Sequence, residues 1–188
     1  MSWWSYLLIA VAVVLLYPYI RFLIKRIALL VKLKSFCKRE GLILHKTSAL
    51  WWLGVRKSGR CNCYIETQKS IYSIKLFPVF KSKSCVHFLE NRSYYVEKFL
   101  VLFGKWGGSA LFSFKSRFRK MGEIDFAYGK DEQTEPKKLT QVLMFSPSCI
   151  CVKLKRANDE QIISDGDSIY ECLAFSVKGL MTQISKNK

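Results

Sequence analysis

Eighteen consecutive residues near the start of the chain, WWSYLLIAVAVVLLYPYI from Trp3 to Ile20, carry no charge. As a helix they extend about 27 Å, close to the thickness of a bilayer's hydrocarbon core, so residues 1–20 are expected to form a transmembrane anchor. Trp3, Trp4 and Tyr6 precede the aliphatic run and Tyr17 and Tyr19 follow it, the positions where amphipathic rings settle among headgroups. Pro18 falls near the far end, where a bend costs least. A cleaved signal peptide fits poorly, because no Lys or Arg precedes the run and the one A-x-A pattern, Ala10 to Ala12, lies inside it.

Positive charge resists translocation, so the flank that carries it fixes the orientation. Arg21, Lys25, Arg26, Lys32, Lys34, Lys38 and Arg39 all follow the span, against the single acid Glu40. The expectation is a single-pass protein of the cell membrane, with its amino terminus outside and the remainder in the cytoplasm. Residues 21–41 continue as a basic juxtamembrane helix whose cations snorkel to the surface, with a helical stretch Leu33 to Arg39 ending at Gly41. Arg21, Lys25, Lys32 and Arg39 fall within about 40° of one another on a helical wheel, one stripe suited to anionic lipid headgroups.

The anchor accounts for only part of the charge. The 188 residues hold 31 Lys and Arg against 14 Asp and Glu, a net +17, yet half of the chain is hydrophobic. A chain this apolar can bury a core, which excludes a disordered basic tail. By segment the net charge is +6 over residues 1–41, +12 over 42–122 and −1 over 123–188. The middle third is therefore a basic surface in its own right.

Residues 42–188 read as one mainly β (α+β) domain built from antiparallel hairpins. Arg60 to Thr67 alternates and pairs with Ile71 to Phe77; Cys85 to Leu89 and Tyr94 to Val101 flank a turn at Glu90 to Ser93. Ala110 to Lys120 sets Phe112, Phe114 and Phe118 on one face and Lys115, Arg117 and Arg119 on the other, with Lys120 at its end. A polar loop is expected near 122–138, strands at Gln141 to Phe145, Cys149 to Lys155 and Ile169 to Val177, and a short element from Gly179 to Ile184.

The chemistry-bearing residues are sparse. Seven cysteines, an odd number in a domain expected to be cytoplasmic, argue for free thiols rather than disulfides. Cys61, Cys63, Cys149 and Cys151 form two C-x-C pairs, each with both thiols on one strand face, but the spacing departs from structural zinc sites, and no metal is expected. His45 and His87 lack a nucleophile motif, and the GKWGGS loop from Gly104 to Ser109 matches no phosphate-binding pattern. The hairpin YIETQKSIYSIKLF, with Lys75 in its second strand, resembles the core of PD-(D/E)xK nucleases, which implies a Mg²⁺-dependent cut. Asn62 and Ser73 stand where that family places acids, and Glu66 is the only acid in the hairpin.

These features lead to a non-enzymatic binding or scaffolding module without a cofactor. Its basic face, Lys115, Arg117, Arg119 and Lys120 with Arg56, Lys57 and Arg60, would meet anionic lipid or an acidic protein partner; no sequence feature sets the oligomeric state. The alternative is a membrane-tethered nucleic-acid-binding or degenerate nuclease-like domain, with Trp106 stacking bases.

Overall fold

The computed structural model describes residues 3–46, 61–79, 84–103, 109–122, 137–146, 149, 151–156 and 159–187. Arg56, Lys57, Arg60, Trp106 and most of the 122–138 loop lie outside them. Helix α1 (Trp3–Glu40) runs unbroken through Pro18, joining the expected anchor and juxtamembrane helix in one element. Its two halves meet different surroundings. Nearly every residue up to Ile20 is exposed, whereas Phe22, Arg26, Leu29, Leu33 and Phe36 recur at helical spacing on one buried face.

The end of α1 is set by Gly41. Its φ of +66° is open to glycine at little cost, the Leu42 N–H donates to the Cys37 carbonyl at 2.8 Å, and the Gly41 N–H donates to Lys38 at 3.4 Å. No atom lies within 4 Å of a Cβ built there, so a Gly41→Ala substitution meets only the backbone penalty. The expected cost is about 1 kcal/mol, a fall of about 2–4 °C in Tm. A thermal melt that does not move would contradict this assignment.

Twelve strands follow among the described residues. The first sheet contains β1 (Ile43–Lys46), β2 (Cys63–Glu66), β3 (Ser70–Pro78), β8 (Lys138–Ser146), β12 (Cys172–Phe175) and β11 (Ser168–Ile169), in that spatial order. The second runs β10 (Glu160–Ile162), β9 (Cys151–Lys155), β4 (Ser84–Leu89), β5 (Ser93–Phe103), β6 (Ser109–Lys115), with β7 (Arg119–Lys120) also on β5. Antiparallel pairing joins β2 to β3 and β4 to β5, with Arg92 at a φ of 55° in the second turn. Yet β8 lies parallel to both β3 and β12, and β9 parallel to β4. The sheets are thus mixed, which corrects the expectation of a domain built from antiparallel hairpins. Their late strands insert beside early ones, and the continuous apolar run Val142 to Phe145 suits a strand buried on both faces.

That run shows how the layers stack. Val142 and Met144 point to α1, joining Leu33, Phe36, Ile65, Ile74 and Phe175; Leu143 and Phe145 point to the second sheet, joining Val86, Phe88, Val152 and Leu154. The order is helices, first sheet, second sheet. Helix α2 (Val177–Lys186) closes the helical layer with Leu180 and Ile184.

Two local readings change. The stripe Ala110 to Lys120 is broken: the Ser116 hydroxyl accepts the Val96 N–H at 2.9 Å, taking a ladder bond from the backbone and ending β6. Phe114 and Phe118 are 57% and 68% exposed. Arg26 does not snorkel; it is 2% exposed with its guanidinium 4.7 Å from the Phe22 ring centroid. Burial lowers its pKa to about 10, which leaves it a cation at neutral pH.

Candidate functional site

The residues expected at the membrane fall on α1. Trp3, Trp4, Tyr6, Tyr17 and Tyr19 are exposed, as are Arg21, Lys32 and Arg39, while Lys25 is half-buried. Lys115, Arg117, Arg119 and Lys120 are exposed on and beside β6 and β7, in the layer farthest from α1. Both sheets therefore separate the two basic groups. Around the second, Phe118 meets the Tyr95 ring edge-on at 5.3 Å and the Lys115 ammonium lies 5.7 Å from the same ring. The result is an exposed edge of aromatic rings interleaved with cations.

Tyr95 leads to a cluster that the sequence did not announce. Val86 and Phe88 enter the core, so His87 faces outward between them, yet its side chain is only 5% exposed. Tyr95 stacks on it at 4.5 Å and 6°, Glu97 Oε2 lies 3.0 Å from Nε2, and Glu160 Oε1 lies 3.2 Å from Nδ1. Both contacts are donated by the ring only when it is doubly protonated. Lys153 also holds Glu160, and its hydrogen bond keeps that carboxyl below the usual carboxylate range. Glu97 was readable as the diagonal neighbour of His87 across the β4–β5 hairpin. Glu160 was not, because β10 reaches β4 only through the parallel strand β9.

The cysteines behave differently from expectation. Cys85 and Cys151 face each other across the parallel pair β4–β9, their Cα atoms 4.8 Å apart, and form a disulfide. This corrects the reading that all seven thiols are free. Cys61 faces the core between the sheets and Cys63 the core under α1, because the strand begins only at Cys63 and the Asn62 side chain accepts the Leu76 N–H at 2.8 Å. The four C-x-C sulfurs accordingly do not converge. Burial first, then Cys61 and Cys37, pushes the Cys63 thiol up, so it stays protonated as a small hydrophobe.

The nuclease-like positions Glu66, Ser73 and Lys75 lie on β2 and β3 of the first sheet. Ser73 is buried, Lys75 is half-buried with its pKa lowered chiefly by desolvation, and Glu66 is engaged by Lys137 and by His45 at 3.1 Å. Among the described residues, no group of three or more His, Cys, Asp or Glu side chains is placed to hold a metal.

No family model, no curated protein and no solved structure matches the chain.

Proposed function

We propose that the chain is a single-pass membrane protein whose sheet domain lies on the cytoplasmic side as a binding or scaffolding module, its cations turned to anionic lipid headgroups or an acidic partner. The observation that carries this reading is the change of surroundings within α1. An apolar half with almost no buried residue passes, at Arg21 and Lys25, into a half that forms one layer of the domain. Exposed apolar surface on that scale is costly in water and at rest in lipid. A retained anchor is supported because cleavage after the apolar run would cut a helix that continues into the core. The positive flank supports the orientation.

The exposed edge at β6 and β7 has the composition of an interfacial segment, Phe114 and Phe118 among Lys115, Arg117, Arg119 and Lys120. Each cation near an anionic leaflet contributes about 1 kcal/mol. The full chain in nanodiscs of neutral or anionic lipid provides the test, with hydrogen exchange over residues 113–120 as readout. Protection in anionic discs that fades as salt rises is expected; equal exchange in both lipids would refute leaflet contact by this edge. The same exposed rings beside cations favour a second reading, single-stranded nucleic acid. Salt-sensitive oligonucleotide binding by the chain in neutral discs, lost in Phe114→Ala and Phe118→Ala, would select it.

A further inference from the structure

A cleft of about 590 Å³ opens where α1 crosses the ends of β8 and β12, beside the start of β9 and of α2. Its volume lies within the range of about 300–1,000 Å³ that holds small ligands. The inner wall is apolar, built from Leu29, Phe145, Val152, Ile163 and Phe175. At the mouth stand Lys25, Lys32 and Lys178, none of which has a carboxylate partner among the described residues. One carboxylate, Asp165, also lines the cleft, but it accepts from the backbone N–H and the hydroxyl of Ser176 and so holds the N-cap residue of α2. Three cations against one occupied acid leave the mouth positive beside a greasy wall.

The position of the cleft narrows the occupant further. Lys25 lies five residues past Ile20 and Lys32 twelve, about 7.5 and 18 Å along the helix axis. The headgroup layer occupies about 5–8 Å beyond the hydrocarbon core. If α1 spans the bilayer, as proposed above, the cleft begins at headgroup depth.

We infer that this cleft binds a single-chain anionic amphiphile drawn from the adjacent leaflet, a long-chain fatty acid being the simplest. The chain lies on the Leu29, Phe145 and Val152 wall and the carboxylate among Lys25, Lys32 and Lys178. A free phosphate would make no use of the apolar wall, and an uncharged chain would leave the cations unmatched. This inference rests on the membrane reading only for the source of the ligand.

The test uses the full chain in neutral-lipid nanodiscs with a fatty acid carrying a photoactivatable diazirine on its chain, the labelled residues being located by mass spectrometry. Label is expected on α1 beside Leu29 and on residues 151–152 and 163–178, displaced by unlabelled fatty acid. Ala28 lines the cleft but is exposed, so Ala28→Trp fills the space without entering the core and should cut that label about tenfold. Lys32→Gln should cut it roughly fivefold. Label on residues 3–20, from bulk lipid, should be the same in all variants. Cleft label that is absent or indifferent to Ala28→Trp overturns the inference, as does displacement by inorganic phosphate alone or by an equal-length alcohol as effective as the acid. Cleft label retained while residues 3–20 stay unlabelled instead overturns the membrane anchor and leaves the ligand class standing.

Discussion

Phe88→Ala is expected to remove about 3–5 kcal/mol of stability, enough to leave a domain of this size only marginally folded. Phe88 is 0% exposed and sits at the centre of the contact between the sheets. Its ring meets Phe77 at 5.4 Å, Tyr94 at 6.0 Å, and Phe145 and Tyr170 at 6.1 Å, in edge-on or tilted arrangements. Truncation leaves a cavity bounded by strands of both sheets, and neither sheet can collapse into it without breaking a parallel ladder. Phe118→Ala is the control: that ring is exposed, and its loss should cost less than about 0.5 kcal/mol. Urea midpoints of the full chain in a nonionic detergent, followed by far-ultraviolet circular dichroism, compare the two. Equal midpoints would mean that the layered core is wrongly assigned.

The second large effect concerns the Cys85–Cys151 bond. Closing a loop across a sequence separation of 66 residues should stabilise the domain by about 4 kcal/mol on chain-entropy grounds, and reduction should remove it. The proposed cytoplasmic placement makes a sharp demand here, because the cytosol keeps such thiols reduced. Cells lysed directly into denaturant containing the alkylating agent should therefore show all seven cysteines blocked, whereas protein oxidised after purification should show five free thiols, Cys37, Cys61, Cys63, Cys149 and Cys172. Five blocked thiols in cells would place the domain in an oxidising compartment and reverse the orientation. Denaturation is essential to the count. Four of the five free cysteines are buried, and burial raises the half-buried Cys149 thiol to about 11, so labelling of the native protein reports accessibility rather than side of the membrane.

Local signals in the sequence were reliable where they were self-contained. The β2–β3 and β4–β5 turns, the stop at Gly41 and the apolar run of α1 each need only a few neighbouring residues to be recognised. What escaped was set at long range. Nothing near Lys138 to Ser146 says that this strand will lie between β3 and β12 in parallel, and without that pairing the layer order cannot be drawn. The Cys85–Cys151 contact and the Glu160–His87 contact both pass through the parallel strand β9, so they were hidden for the same reason. Arg26 escaped differently: a cation in a basic flank gives no sign that the first sheet will cover it. The phenylalanine stripe misled because Ser116, a weak residue in an alternating pattern, interrupts the ladder with its own hydroxyl.

The unbroken run of α1 carries a mechanical consequence. If the apolar half of α1 lies in lipid, as proposed above, the helix, continuous over about 57 Å, links that half directly to the half that bears the sheets. A bilayer thinner than that half would then tilt it, and the tilt would be passed along the helix to the sheets. On that reading, bilayer thickness would help to set the attitude of the domain over the membrane surface.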